Sequence, residues 1–213
     1  TDPHMTAGVV AWLVVIVSVI PCLGIHTYEL PRVSPWHGGC VSLAVIALDR
    51  TIPRIAARFY PPEPQVHNLV MCAGSLCVWL LCLVTPTAAV VVFLYSKVYE
   101  YVDTWIVVQR KGVRTPLQRW HHLLTPLLMS TTLAFGSTRS VYYLTCTNSL
   151  VHTIMYAYYA HLIPHRTLVT QIQRRQFVLG IGALLTRILL YQRFLELVNM
   201  LSLALLLWAF ARV

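Results

Sequence analysis

The chain has 213 residues, of which 57% are hydrophobic and only 11% are charged. Soluble domains carry about 25% charged residues, so this composition excludes an ordinary soluble domain and indicates an all-α, polytopic membrane protein. Sixteen basic and seven acidic residues give a net charge of +9. Because the basic residues collect in short loops, membrane topology explains this excess, and we expect no nucleic-acid partner.

Apolar runs divide the chain into predicted transmembrane helices. The leading Thr-Asp-Pro-His-Met is typical of a cloning scar, so residues 1–5 are set aside. A shorter apolar run over residues 38–48 leaves the count at seven or eight spans, and we favour seven. The seven predicted spans are 7–23, 68–84, 87–108, 117–135, 140–162, 173–190 and 194–211.

Basic residues mark one side of the predicted bundle. They occur in alternate connections, near residues 50–58, 110–119 and 165–175, which the positive-inside rule assigns to the cytosol. Arg110, Lys111 and Arg119 are also candidates for binding an anionic, phosphate-bearing ligand, because charge-assisted hydrogen bonds to phosphate are strong. The six cysteines form no C-x-x-C pair, so we predict neither a zinc site nor a disulfide framework.

The span over residues 87–108 contains three charges, Lys97, Glu100 and Asp103, at three-residue spacing. This spacing places them within about 120° on one face of a continuous helix. A charge at the bilayer centre costs roughly 2.5–3.5 kcal/mol, so charged residues there are functional candidates. A structural ion pair that fixes helix packing is the alternative.

The next three spans also carry polar residues at helical spacing. Adjacent histidines at the start of an apolar helix favour chemistry over packing, because imidazole serves as nucleophile, base or acid near neutral pH. The polar positions are Gln118, His121 and His122, then Asn148, His152, Tyr156 and Tyr159, and then Gln173 and Gln176. Four consecutive polar faces must meet in the interior, which predicts a polar chamber with an apolar tunnel above it.

These residues form motifs that occur together in one known family. They are K-x-x-E-x-x-D-T from Lys97, H-H at residues 121–122, N-x-x-x-H-x-x-M-Y-x-Y-Y from Asn148, and T-x-x-Q-x-x-Q-F from Thr170. The order and spacing resemble the ELO family of very-long-chain fatty acid elongases over about residues 67–190. The resemblance implies that residues 67–213 form a six-helix catalytic core around an acyl tunnel, preceded by membrane segments within residues 6–66.

The family's activity implies roles for the motif residues. It condenses a long-chain acyl-CoA with malonyl-CoA to give 3-ketoacyl-CoA, CO2 and CoA, without a metal or other cofactor. By resemblance, His121 is the nucleophile that carries the acyl group, and His122 and His152 move protons or stabilise the enolate. We expect Glu100 and Asp103 to position the histidines and Lys97 to balance their charge or to meet a substrate carboxylate. Gln118, Asn148, Tyr156, Tyr159, Gln173 and Gln176 are then supports or lining.

The chain departs from the family pattern at one motif position. The histidine box of the family is H-x-x-H-H, and its first member here is Gln118, which forms hydrogen bonds but does not titrate. We expect this glutamine to serve as an orienting partner. The resemblance further implies a multi-pass protein of the endoplasmic reticulum membrane. Its expected partners are acyl-CoA, malonyl-CoA, the bilayer, other elongation enzymes and a second copy of the chain.

Two other classes of function compete with this interpretation. A membrane di-iron desaturase or hydroxylase also uses histidine boxes, and His161-x-x-x-His165 has ligand spacing, but such sites need about eight histidines by family analogy. A non-catalytic lipid-binding or transport protein also fits a polar chamber. Cys146 is a weaker candidate nucleophile, and we expect it to be a buried packing residue.

Overall fold

The structure is a computed structural model that describes residues 3–23, 33–114, 116–134 and 138–191, together with residues 200, 201, 204, 205, 207 and 208. Within these residues the regular structure is entirely helical. The helices are α1 Pro3–Ser18, α2 Ile20–Leu23, α3 Pro35–Ala56, α4 Pro64–Val84, α5 Pro86–Tyr99, α6 Tyr101–Lys111, α7 Pro116–Ala134, α8 Thr138–Tyr159 and α9 Arg166–Tyr191.

The apolar runs predicted most of these helices. α1 with α2, α4, α7, α8 and α9 correspond to predicted spans, whereas the predicted span 194–211 lies outside the described helices. The short run at residues 38–48, which left the predicted span count open, belongs to the 22-residue helix α3. Joining α1 to α2 and α5 to α6 gives seven helical segments in the described part of the chain.

The predicted continuous helix over residues 87–108 is interrupted at Glu100. The backbone N–H of Asp103 donates to the carbonyl of Glu100 at 3.0 Å, three residues back, so the chain tightens locally into a 3₁₀-like turn. The interruption separates α5 from α6 in the middle of the charged motif. Lys97 and Asp103 therefore lie on two different helices, not on one uniform face.

Local sequence explains where the helices begin and end. Proline occupies the first turn of α3, α4 and α5, where its missing N–H removes no helical hydrogen bond. Glu63 caps α4 by accepting from the backbone N–H groups of Gln65 and Val66 at 2.6 and 3.0 Å. Gly112, with φ of 73°, ends α6 in the left-handed conformation that glycine adopts without strain.

Close packing of helices builds the core. The most extensive pairs are α4 with α8, α3 with α7 and α1 with α9. At Gly38 on α3 an added Cβ would lie 2.9 Å from the Cα of Ser130 on α7, so only glycine permits this approach. Ser130 Oγ donates across the contact to the Gly38 carbonyl at 2.8 Å. Part of the N-terminal region therefore packs directly on the helices that carry the histidines.

The connections near residues 50–58, 110–119 and 165–175 lie at one end of the bundle, where three contacts join distant segments, whereas Arg139 lies at the other end, at the start of α8. Arg114, after α6, forms an ion pair with Asp49 near the end of α3. Trp105 Nε1 donates to the carbonyl of Phe59 at 3.3 Å, and the Asn68 amide donates to the carbonyl of Tyr159 at 3.1 Å. The ends of α3, α6 and α8 and the starts of α4 and α7 thus meet here, as the loop charges predicted.

Membrane-crossing character is strongest in α4. Within the described residues, Pro64–Val84 is the one helix whose length and apolar composition suffice by themselves to cross a membrane, and Ala7–Cys22 is apolar but shorter. Other helices are less apolar because they carry the polar residues of the motifs. Burying those residues against one another leaves apolar side chains outside, as a bilayer requires.

Candidate active site

The centre of the site is a buried ion pair. Lys97 Nζ lies 2.6 Å from Glu100 Oε1, and the two side chains are 2% and 3% exposed. Lys97 also donates to Asn148 Oδ1 on α8 at 3.1 Å and lies 4.1 Å from the centroid of the Phe93 ring. The lysine charge is therefore surrounded by a carboxylate, an amide oxygen and an aromatic face, which together compensate its burial.

Glu100 links this ion pair to the histidines. His152 Nδ1 lies 3.4 Å from Glu100 Oε1, the same oxygen that Lys97 contacts. Because an ionised carboxylate only accepts hydrogen bonds, it favours the imidazole tautomer with the proton on Nδ1. That tautomer leaves the lone pair on His152 Nε2, so the imidazole is oriented to accept a proton on its far side.

The three predicted histidines lie next to one another. The ring centroids of His121 and His122 on α7 are 5.8 Å apart, and those of His121 and His152 are 6.1 Å apart. A threonine hydroxyl contacts Nδ1 of each α7 histidine: Thr104 lies 2.9 Å from His122 and Thr125 lies 3.4 Å from His121. With Nδ1 engaged, His121 Nε2 is the nitrogen left for a covalent step.

Asp103 contacts a histidine that the sequence did not single out. Its Oδ1 lies 2.8 Å from Nε2 of His67 on α4, and its Oδ2 accepts from the Tyr156 hydroxyl at 2.5 Å. The expectation that Asp103 touches the other histidines thus changes to an indirect relation through Tyr156, whose ring centroid is 5.7 Å from that of His152. His67 was missed because a single histidine before an apolar run shows no pattern.

The remaining predicted residues lie around this centre at differing depths. Gln118 is half-buried on α7, one turn before His121. Gln173 on α9 donates to Met155 Sδ at 3.1 Å, and Gln176 is half-buried one turn further along α9. Tyr159 is 49% exposed, so it borders the site and does not line an enclosed chamber. Its ring packs on Tyr156 at a centroid distance of 6.5 Å.

The three cationic candidates lie outside the histidine cluster. Arg110 and Lys111 are exposed at the end of α6, about 10 Å along the helix axis from Asp103 at 1.5 Å per residue. Arg119 is exposed at the start of α7, where its guanidinium lies 5.8 Å from the centroid of the Trp120 ring. All three share the basic end of the bundle, which is also the end nearer to the histidines.

An apolar cavity adjoins the ion pair. It has a volume of about 140 Å³ and lies between α4, α5 and α8. Glu100 and Ser149 line it at one end, and Val78, Val92 and Gly74 line it further along α4 and α5. Ser149 Oγ is buried without a hydrogen-bond partner among the described residues. The cavity has a polar end at Glu100 and Ser149 and an apolar body, and none of the three predicted histidines lines it.

The cysteines that the structure describes, together with His37, His161 and His165, lie outside this centre. Cys146 is fully buried in the apolar core, in agreement with the packing role expected for it. His161 ends α8 in the left-handed conformation, with φ of 61°, and is exposed. Among the residues that the structure describes, no group of three or more His, Cys, Asp or Glu side chains is placed to hold a metal ion.

Fold and site together define an all-helical protein of membrane character with a cluster of histidines beside a buried ion pair. The ELO family, described as the GNS1/SUR4 family, matches residues 84–211, and the chain belongs to this family. The match includes every predicted site residue and begins after His67. It does not favour the di-iron desaturase alternative.

A relative with a named activity matches a smaller part of the chain. Over 68 residues the chain is 40% identical to fatty acid elongase A of Dictyostelium discoideum. This alignment covers 32% of the chain and 25% of that relative, so the chain aligns with about a quarter of the relative's length. No solved structure matches the chain.

Proposed function

We propose that this protein is a fatty acid elongase that condenses a long-chain acyl-CoA with malonyl-CoA. The observation that carries the proposal is the contact of His121 with His122 and His152 beside the buried Lys97–Glu100 pair. Membership in the ELO family and the partial identity to a fatty acid elongase support it.

The proposed first half-reaction transfers the acyl group to the enzyme. His121 Nε2 attacks the thioester carbon, the C–S bond breaks, and the proton that His121 loses from Nδ1 passes to the sulfur, so that CoA leaves as the thiol. The product is an acyl-imidazole on His121. Thr125, 3.4 Å from His121 Nδ1, orients the ring for this attack. His152, oriented by Glu100, would carry this proton to the leaving sulfur.

The second half-reaction forms the carbon–carbon bond. Malonyl-CoA loses CO2, and the electron pair of the broken bond becomes the enolate of acetyl-CoA. The enolate carbon attacks the acyl carbon, the bond to His121 breaks, and 3-ketoacyl-CoA is released. His121 takes up one proton from solvent and so returns to its neutral form. His122, held by Thr104 at 2.9 Å, is placed to donate a hydrogen bond to the enolate oxygen. Lys97 would stabilise the Glu100 carboxylate throughout, since its ammonium donates to Glu100 and to Asn148.

The substrates would bind along the axis of the bundle. The part of the acyl chain nearest the thioester would occupy the apolar cavity beside Glu100, and the rest of the chain would extend past Gly74 and Val92, where the cavity opens. The CoA phosphates would lie at the basic end, where Arg110, Lys111 and Arg119 are exposed. Gln118, one turn before His121, would orient a neighbouring imidazole or substrate by hydrogen bonding.

The cellular setting is part of the same proposal. The protein would be a multi-pass protein of the endoplasmic reticulum membrane and would act without a metal or other cofactor. It would pass its 3-ketoacyl-CoA product to the other elongation enzymes. A second copy of the chain is the proposed partner within the membrane.

A product assay tests this function. Purified protein in lipid nanodiscs is incubated with acyl-CoA and labelled malonyl-CoA, and 3-ketoacyl-CoA is measured by mass spectrometry. We expect product from the wild type and none from His121→Ala, with His165→Ala at the exposed start of α9 as the control that retains activity. Absence of product over a panel of acyl chain lengths would defeat the proposal, as would an unchanged rate in His121→Ala.

A further inference from the structure

His67 stands at the start of α4 with its imidazole removed from solvent. The residue is 1% exposed, and its Nε2 lies 2.8 Å from Asp103 Oδ1. Asp103 Oδ2 accepts from the Tyr156 hydroxyl at 2.5 Å. One carboxylate therefore joins three helices, α4, α6 and α8, through two hydrogen bonds that fix both of its oxygens.

The chemistry of the partners sets the positions of the protons. An ionised carboxylate accepts hydrogen bonds only, so His67 Nε2 and the Tyr156 hydroxyl are both donors to Asp103. With both oxygens engaged, the carboxylate has one orientation. The other nitrogen of His67, Nδ1, is buried without a hydrogen-bond partner among the described residues. Its contact with Asp103 is therefore the polar interaction that holds the imidazole in place.

The effect of this arrangement reaches the histidine cluster through Tyr156. The Tyr156 ring packs against His152 at a centroid distance of 5.7 Å and against His67 at 6.3 Å. His152 in turn lies between Tyr156 and Glu100. If His67 no longer donates, the Asp103 carboxylate is free to turn, and Tyr156 is no longer held against His152.

We propose that His67 is a positioning residue of the active site, which locks the Asp103 carboxylate so that Tyr156 fixes the place of His152. The effect on turnover rests on the elongase function proposed above, whereas the effect on His152 does not. His67 precedes the part of the chain that the family match covers. If the His67–Asp103 hydrogen bond only held α4 against α6, its loss would lower the stability of the protein without a specific effect on His152.

Two substitutions separate positioning from packing. His67→Gln retains an N–H donor at similar reach, and His67→Leu removes the donor while it keeps comparable volume. We expect kcat to fall about 10- to 100-fold in His67→Leu with KM nearly unchanged, because small misplacements of reacting groups have effects of this size. His67→Gln should recover most of the rate. The matched controls are His37→Leu and His37→Gln on α3, where the histidine contacts the Tyr95 hydroxyl at 3.2 Å.

A second readout does not depend on activity. Hydrogen–deuterium exchange at the imidazole C2, measured by mass spectrometry for each histidine, reports the surroundings of His152. We expect its rate to shift several-fold in His67→Leu and to return in His67→Gln. Tyr156→Phe, which removes the other donor to Asp103, should shift the rate as His67→Leu does. This variant decides the question if His67→Leu fails to fold.

The outcomes distinguish this inference from the elongase function. Equal His152 exchange in wild type, His67→Leu and Tyr156→Phe would overturn the positioning role, even if all of them make product. Equal losses of rate in His67→Gln and His67→Leu would overturn it as well. If the wild type makes no product but His152 exchange depends on His67, the elongase proposal fails and the positioning role stands.

Discussion

Removing one charge of the Lys97–Glu100 pair should destabilise the protein more than any surface charge change. The two side chains are 2% and 3% exposed, and Nζ and Oε1 lie 2.6 Å apart, so each charge depends on the other for its compensation. In Lys97→Met the Glu100 carboxylate keeps only His152 as a nearby partner, and Asn148 Oδ1 loses its donor. Both groups stay buried without the cation.

The expected size of this loss follows from the burial of the pair. Breaking a buried ion pair by removing one partner costs about 3–5 kcal/mol, because a charge is left uncompensated. For a chain of about 200 residues each kcal/mol lowers Tm by about 2–4 °C, so Lys97→Met should lower Tm by roughly 6–20 °C. The double variant Lys97→Met/Glu100→Gln removes both charges and should recover most of that loss.

Thermal unfolding in detergent micelles measures these differences. The control is Asp49→Asn, which breaks the ion pair with Arg114 at the end of the bundle, where the side chains are 15% and 16% exposed. There we expect a loss of about 1 kcal/mol or less. The reasoning is refuted if Lys97→Met melts within about 2 °C of the wild type in repeated scans. At about 2–4 °C per kcal/mol, so small a change in Tm corresponds to about 1 kcal/mol or less, which is below the cost expected for an uncompensated buried charge. A double variant no more stable than the single one would also refute it.

Three further predictions follow from the packing. Gly74→Leu should shorten the longest product chain, because the added side chain would enter the open space beside the cavity. Gly39→Leu, at an equally open site on α3, is the control and should leave the product profile unchanged. Equal product profiles for the two variants would contradict this prediction. Gly38→Ala should destabilise the protein by about 1–3 kcal/mol, because the added Cβ would lie 2.9 Å from Ser130 Cα. Gly39→Ala, where nothing lies within reach of the added Cβ, should leave the stability unchanged. Thermal melts of the two variants test this difference. Cys146→Ser should keep turnover in the product assay, since the thiol is fully buried in the apolar core, and an inactive but folded variant would contradict the packing role.

The sequence predicted the helices well where apolar runs are long. It understated α3 because Asp49, Arg50 and Arg54 end the apolar run, although the helix continues to Ala56. Helical hydrogen bonds do not require apolar residues, so hydrophobicity marks the membrane-embedded part of a helix and not its ends. The turn at Glu100 was missed for a similar reason: a one-residue change in hydrogen bonding leaves no mark in composition.

The candidate site was predictable where its residues repeat at helical spacing. The spacing of Lys97 and Glu100 predicted their pair, and the motif order brought His121, His122 and His152 together. His67 was not predictable, because its partner Asp103 is 36 positions away on a different helix, α6. Contacts between helices, unlike spacing within one, are set by the fold as a whole.

Mass spectrometry of the protein after incubation with acyl-CoA alone tests the central claim most directly. If His121 is the nucleophile, a peptide that contains it should gain the mass of one acyl group, and malonyl-CoA should remove that mass as 3-ketoacyl-CoA appears. His121→Ala should gain no mass. An acyl group on another residue, or turnover without any acylated intermediate on His121, would contradict the account.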